Sequence, residues 1–322
     1  MQEYDSFTDC FYNLTKLIYE NYEYEVSPRN MKVRESLGVS FQINNPRNRL
    51  LFIPERKTSL TYTIAEALWY FTGNNETKWI SNYSSFWDNI SDDGKTANSA
   101  YGARIFKCHK SIVNGLLNQW DYVKNELLSD NDSRRAVIHI RVPDDSKYAK
   151  LDVPCTLTLQ FFIRNNKLHM ITNMRSSDLI LGITYDIPAF TLFQEKLANE
   201  LNVELGVYRH MSNSLHIYER HFKMCEKILS SSNSSFKTFE MQKMPIVGDK
   251  TFEDLNLLQD VFRQTDDIDR ITKILNSYES NEYWEDWAKI LAAHRIGKLG
   301  YKKLKKDLIK TTNFIGYHQF GT

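Results

Sequence analysis

LDVPCTLTLQFF at 151–162, followed by MRSSDLILGITYDIP at 174–188, sets a cysteine at the head of an apolar, strand-like run. From twenty residues downstream come an arginine, two serines and two aspartates. The run 155–163 alternates as a half-buried strand does, and 167–173 repeats the pattern beyond a short polar turn. Cys155 by itself has two readings. A cysteine ahead of a strand is ordinarily a small buried hydrophobe. Beside a cation it becomes a nucleophile, because a free thiol with a pKa of about 8.5 is mostly protonated at neutral pH and needs positive charge to ionise. Arg175 is the candidate cation, and Asp186 a candidate partner for a bound base.

Outward from this core, 5–24 carries Phe7, Cys10, Phe11, Leu14, Leu17 and Ile18 at helical spacing until SPRN at 27–30 breaks it. The stretch 36–43 alternates like a strand. A helix over 60–71 would set Glu66 among apolar neighbours, which costs on the order of several kcal/mol unless the carboxyl is paired or protonated. That cost marks Glu66 as functional. Short β-rich runs at 136–142 and 214–218, with a long buried helix at 187–201, complete the pattern. The mixed order predicts an α/β (α+β) fold around one large twisted sheet with packed helices.

Seven strings run in register: AEALWYFTG around Glu66, FWDN at Trp87, AYGAR at Tyr101, SRR at 133–135, VPCT at Cys155, RSSDLILGITYDI, and LHIYERH at 215–221. In order and spacing they resemble the thymidylate synthase family over about residues 29–241. The resemblance implies that family's mixed sheet, one face of which forms a dimer interface. It implies a pyrimidine mononucleotide substrate and 5,10-methylenetetrahydrofolate as one-carbon donor. Adding a thiolate to C6 of the pyrimidine turns C5 into an enamine-like nucleophile. By match, Cys155 is that thiolate and Glu66 the carboxylate that orders water and moves protons. Tyr101 stands beside the cysteine, and Asp178 and Gln160 support the base. Arg29, Arg175 and Ser176 match phosphate positions, as do Arg134 and Arg135, which in the family reach across a homodimer with shared sites. Guanidinium forks suit phosphate better than lysine. His216 and Tyr218 alternate on one strand, so both face one way, as a ribose-binding pair must. Trp87, Arg56 and Lys57 fall at folate positions. No metal is implied.

Four departures cluster near the base and folate. Asp186 stands where thymidylate synthases carry asparagine, Thr156 where they carry histidine, Asp152 where they have an apolar residue, and Ile90 where they have a second tryptophan. An asparagine amide reads uracil. Cytosine presents the inverse pattern, which a carboxylate sharing a proton with N3 can match. The expected substrate is therefore a cytidylate, dCMP or CMP, with Ser176 favouring dCMP. A polar Asp152, a missing indole and a different C-terminus point to a wetter site, and hydride transfer needs a dry one. Water then completes the reaction, giving a (deoxy)cytidylate 5-hydroxymethylase. Methylation of a uridylate or cytidylate is the alternative within the family, and an inactive nucleotide-binding regulator the alternative outside it.

The resemblance places LSSSNSSF at 229–236 before a last core strand at 237–241, so the expected boundary separates a catalytic domain, 1–247, from a helical C-terminal extension, 248–322. There FEDLNLLQDVF, IDRITKIL, YWEDWAKILAAHRI and KKLKKDLIK read as amphipathic helices. Charge is balanced, 41 basic against 40 acidic residues, so the composition carries no footprint for polymeric nucleic acid or an anionic membrane. Cys10, Cys108, Cys155 and Cys225 show no metal or disulfide spacing, and the first residues lack a signal sequence. No apolar run nears the roughly 20 residues that span a bilayer. A reducing, cytoplasmic setting is expected.

Overall fold

The computed structural model describes residues 1–107, 109–110, 116–148, 151–246 and 248–320. Cys108 and Val247, at the expected domain boundary, lie outside the described residues. Among the described residues ten strands follow in chain order: β1 Gln2–Tyr4, β2 Tyr24–Val26, β3 Val33–Ile43, β4 His109–Lys110, β5 Leu116–Leu117, β6 Val137–His139, β7 Thr156–Arg164, β8 Lys167–Met174, β9 Ser177–Asp178 and β10 Glu204–Tyr218. Eight form one mixed sheet in the order β1-β3-β10-β8-β7-β6, with β2 on the outer side of β3 and β9 beside β10; β4 and β5 pair with each other.

The expected α/β architecture is present. Along β7, Leu159, Phe161 and Ile163 are buried while Leu157, Gln160 and Phe162 are half-buried; β8 alternates in the same way. Helices Phe7–Glu20 and Ile183–Glu200 cover the buried face. Among the described residues the opposite face stays half-exposed, with Phe162, Ile171 and Val207 on it.

Helix Leu60–Phe71 is buried on every side. It lies between Ile183–Glu200 and the extension helix Glu282–Lys298. Phe252, from helix Asp249–Gln264, stacks on Phe71 at 4.4 Å, and Trp284 and Trp287 are fully buried. The four helices read from the tail are all present.

Two expectations change. β10 begins at Glu204, ten residues before the predicted run, because its polar Arg209–Ser212 segment is paired on both sides by β3 and β8. No strand forms at 237–241. β1 occupies the outer edge of β3, and the segment is tied instead by Met241 N–H to the Arg47 carbonyl and by Met244 N–H to the Glu195 carboxylate.

Candidate active site

Cys155 immediately precedes β7, and Arg175 immediately follows β8 beside it. The pairing of these strands closes the twenty-residue gap in sequence. Arg175 brackets the cysteine: its N–H donates to the Cys155 carbonyl at 2.9 Å, its Nε to Pro154 O at 2.9 Å, and its Nη2 to Val153 O at 2.8 Å. Nη2 also approaches Cys155 Sγ at 3.5 Å. Among the described residues Nη1 makes no hydrogen bond, so the fork keeps one donor for an anion.

The expected activation is opposed by burial. Burial pushes the Cys155 thiol above its ordinary range, Asp186 and Asp152 push the same way, and Arg175 and Arg29 pull it down without prevailing. The thiol is protonated in the free site, and Arg175 is placed to hold the negative charge as it forms. Cys10 and Cys225 are fully buried, the packing use of the residue.

Glu66 lies in the middle of the buried helix. Tyr62, one turn before it, donates its hydroxyl to Glu66 Oε1 at 2.5 Å, and Trp87 Nε1 donates to the same hydroxyl at 3.0 Å. Burial drives the Glu66 carboxyl up to about 7, with hydrogen bonds from Tyr62 and Tyr70 working against it. A carboxyl near neutrality can both give and take a proton. Tyr62 and Tyr70 flank Glu66 at i−4 and i+4; that spacing was visible in the sequence and went unused. Tyr101 stacks on Tyr70 with ring centroids 5.4 Å apart. Gly102 permits this approach, since a Cβ there would lie 2.0 Å from the Tyr70 carbonyl oxygen.

Asp186 sits in the first turn of Ile183–Glu200. Among the described residues its carboxyl accepts no hydrogen bond, and burial, then Glu66, then Asp178 raise its pKa well above the carboxylate range. Burial thus favours the protonated carboxyl, a form with one donor and one acceptor to offer. Asp178 caps the turn before that helix, accepting from Ile180 N–H at 2.9 Å and Leu181 N–H at 3.0 Å. It also stands opposite His216 in the β9–β10 register. His216 and Tyr218 share a strand face, their rings 5.2 Å apart and perpendicular. Burial lowers the His216 pKa and Asp178 opposes it, leaving a neutral imidazole to meet a hydroxyl.

Arg29 and Asn30 both take left-handed backbone, φ 52° and 60°. Such consecutive positive values are uncommon outside glycine and cluster at functional sites. Ser176 follows Arg175, half-buried. Arg56 is buried, with Nε donating to Ile180 O at 2.6 Å and Nη2 left without a partner; Lys57 beside it is exposed. An orphaned buried guanidinium nitrogen beside an exposed lysine, linked to Trp87 through the rings of Tyr185 and Tyr62, fits an anionic, ring-bearing cosubstrate.

Two expectations change, and a third, that of Arg134 and Arg135, concerns a second subunit. Gln160 lies five strand residues beyond Cys155, roughly 17 Å at the usual rise, and its Nε2 donates to the Arg134 carbonyl at 2.9 Å. It supports the edge of the sheet, not the base. Arg134 and Arg135 are exposed on that edge and do not meet Cys155. Asp152, expected to wet the site, is buried: its Oδ2 accepts from Ser99 N–H at 2.9 Å, and its carbonyl from Asn98 Nδ2 at 2.9 Å. It ties the loop before Tyr101 to the strand entry at Cys155. Thr156 is fully buried and Ile90 half-buried.

Residues 9–274 match the family described as thymidylate synthase. Among curated proteins, the chain is 30% identical over 262 residues to a deoxyuridylate hydroxymethyltransferase of Bacillus phage SP01, covering 79% of this chain and 67% of that protein. It is 24% identical over 212 residues to a thymidylate synthase of Vesicomyosocius okutanii, covering 65% and 80%. A thymidylate synthase of Bacillus subtilis subsp. natto is 25% identical over 225 residues, covering 68% and 80%. Among the described residues no helix is long and apolar enough to cross a membrane.

Proposed function

The chain belongs to the thymidylate synthase family of folate-dependent C5 one-carbon transferases, and we propose that its substrate is a cytidylate, preferentially dCMP, and its product the 5-hydroxymethyl nucleotide. The phosphate is held by Arg175 Nη1, Arg29 and Ser176, with Arg134 and Arg135 supplied by the second subunit of a homodimer across the half-exposed sheet face. The sugar meets His216 and Tyr218. Cys155 Sγ loses its proton and bonds to C6 of the ring, while Arg175 holds the charge. Glu66, kept near neutrality and oriented by Tyr62, moves protons at the ring and at a bound water. Bound 5,10-methylenetetrahydrofolate supplies the one-carbon unit, and Arg56, Lys57 and Trp87 are the residues that would hold it.

The buried carboxyl of Asp186, where burial favours the protonated form, carries the base assignment. Facing cytosine, its hydroxyl donates to N3 and its carbonyl accepts from the C4 amino group. Passing that proton to N3 makes the ring cationic and C6 more electrophilic. Uracil, already bearing N3–H, cannot receive this assistance. Water addition is favoured by Ile90 in place of an indole, and the phage relative is by name a hydroxymethyltransferase.

A second reading is deoxyuridylate hydroxymethylation. A neutral carboxyl can also accept from N3–H and donate to O4 of uracil, as an amide does, and that same relative is named for deoxyuridylate. Tritium release from C5 of CMP, dCMP, UMP and dUMP, with the product mass distinguishing hydroxymethyl from methyl, separates the readings. Under the first, dCMP turns over fastest, and Asp186→Asn shifts the dCMP/dUMP ratio of kcat/KM at least about tenfold toward dUMP, since mispairing one buried pattern costs roughly 1–3 kcal/mol. Faster turnover of dUMP by the wild type selects the second.

A further inference from the structure

The sequence 294–310, HRIGKLGYKKLKKDLIK, holds seven basic residues and one acidic, Asp307, in a chain whose net charge is only +1. The remainder is net acidic, so positive charge is concentrated at one place. There, between the end of helix Glu282–Lys298 and helix Lys302–Ile309, lies a cavity of about 400 Å³ with Lys298, Lys302, Lys305 and Lys306 on its lining. The neighbouring Lys289 and Arg295 are paired with Asp286 and Asp266, whereas among the described residues none of these four lysines has an ion-pair partner.

The lining is mixed as well as charged. Ile309 and Phe320 supply its apolar part, and the stem of Lys305 runs over Gly297, where a Cβ would lie 2.7 Å from Lys305 Cδ. Both sides are anchored to the catalytic domain. His294 Nε2 bonds the Asn82 carbonyl at 2.9 Å with its ring 4.3 Å from that of Tyr83, and Phe320 packs on Phe52 at 5.4 Å.

We propose that this cavity is a second ligand site, distinct from that of Cys155, which binds a nucleoside polyphosphate. Four unpaired ammonium groups around one cavity match a phosphate chain of several negative charges better than a single monoanion. The volume falls in the range of small-molecule sites, and the half-buried ring of Phe320 offers a surface to a base. A nucleic-acid polymer is disfavoured, because the excess of positive charge sits in this helix pair while the rest of the chain is net acidic.

The test is lysine-acylation footprinting of the full chain by mass spectrometry, near physiological salt, with dCTP, inorganic tripolyphosphate, a γ-linked triglutamate and a short single-stranded oligonucleotide as separate probes. Because the readout is local to each lysine, it is independent of any binding or activity at Cys155. Expected are severalfold protection of Lys298, Lys302, Lys305 and Lys306 by dCTP, at least fivefold weaker binding of tripolyphosphate, and a tenfold or larger loss of dCTP affinity by calorimetry in Lys302→Gln/Lys306→Gln. Both substituted residues are exposed, so a thermal melt matching wild type is expected with that loss. Absence of protection by dCTP, equal binding of tripolyphosphate, or protection only by the triglutamate or the oligonucleotide overturns the proposal.

Discussion

Replacing Tyr62 by phenylalanine deletes one oxygen at the point where Glu66 and Trp87 are joined. The lost hydroxyl donates to Glu66 at 2.5 Å and accepts from Trp87 at 3.0 Å. A hydrogen bond to a charged acceptor contributes about 1.5–3 kcal/mol, and one pKa unit corresponds to about 1.4 kcal/mol. Starting from about 7, the Glu66 pKa should therefore climb by roughly one to two units. At pH 7 the ionised fraction falls from about one half to between about 10% and 1%. If the ionised form takes the proton in the limiting step, kcat/KM at pH 7 drops roughly 5- to 50-fold and recovers as pH rises. The indole N–H of Trp87, left buried and unpaired, costs a further 1–3 kcal/mol or so of stability. The assay is tritium release from C5 across pH, with urea unfolding as the stability readout. An acid limb that stays at the wild-type position while the variant remains folded refutes the assignment of Glu66 as the titrating group held by Tyr62.

Glu66→Gln tests the same burial through stability. The native pKa of about 7 lies above the ordinary 4.5, so ionising Glu66 opposes folding. That cost is absent below pH 4.5 and complete above 7. The glutamine variant should be more stable than wild type by up to about 3 kcal/mol at pH 8, with the difference vanishing near pH 4 in urea titrations. Gly102→Ala forces a methyl to 2.0 Å from the Tyr70 carbonyl; a loss of about 1–3 kcal/mol in stability is expected, together with reduced turnover as Tyr101 is displaced. The shared-site dimer is tested by mixing Cys155→Ala chains with Arg135→Ala chains. One site of each hybrid regains both native residues, so activity should reappear after subunit exchange, and hybrids as inactive as both parents argue against sharing.

Much of the site could be read from the sequence because its parts lie on short, strongly patterned segments. Strand alternation put His216 and Tyr218 on one face, and helical spacing put Glu66 among apolar residues. What escaped was partnership. That Arg175 uses two nitrogens on the backbone around Cys155 depends on β7 and β8 pairing in one register. Gln160 was expected beside the base by its match to the family, but strand rise carries it to the β6 edge. Asp152 looked like a source of water because a carboxylate beside an apolar string is normally exposed; Ser99 N–H gives it a buried partner. The polar middle of β10 gave too little hydrophobic alternation to register as strand, although Arg209–Ser212 pair on both sides.

The group at Asp186 also shows why a single substitution is read best together with its surroundings. An aspartate at a solvated position is an anion with acceptors only, and it would repel the carbonyl O4 of uracil while leaving cytosine N3 unprotonated. Here burial raises the Asp186 pKa most, and the charges of Glu66 and Asp178 push the same way. The proton favoured on Asp186 is thus a property of its surroundings. It gives the side chain a donor as well as an acceptor, so base preference depends on whether that proton stays on the carboxyl or moves to the ring. Cytosine can take it and uracil cannot. The same proton that lets Asp186 pair with either base therefore gives the chemical step its reason to favour cytosine, and discrimination should fall mainly in kcat, with the two nucleotides binding more nearly alike.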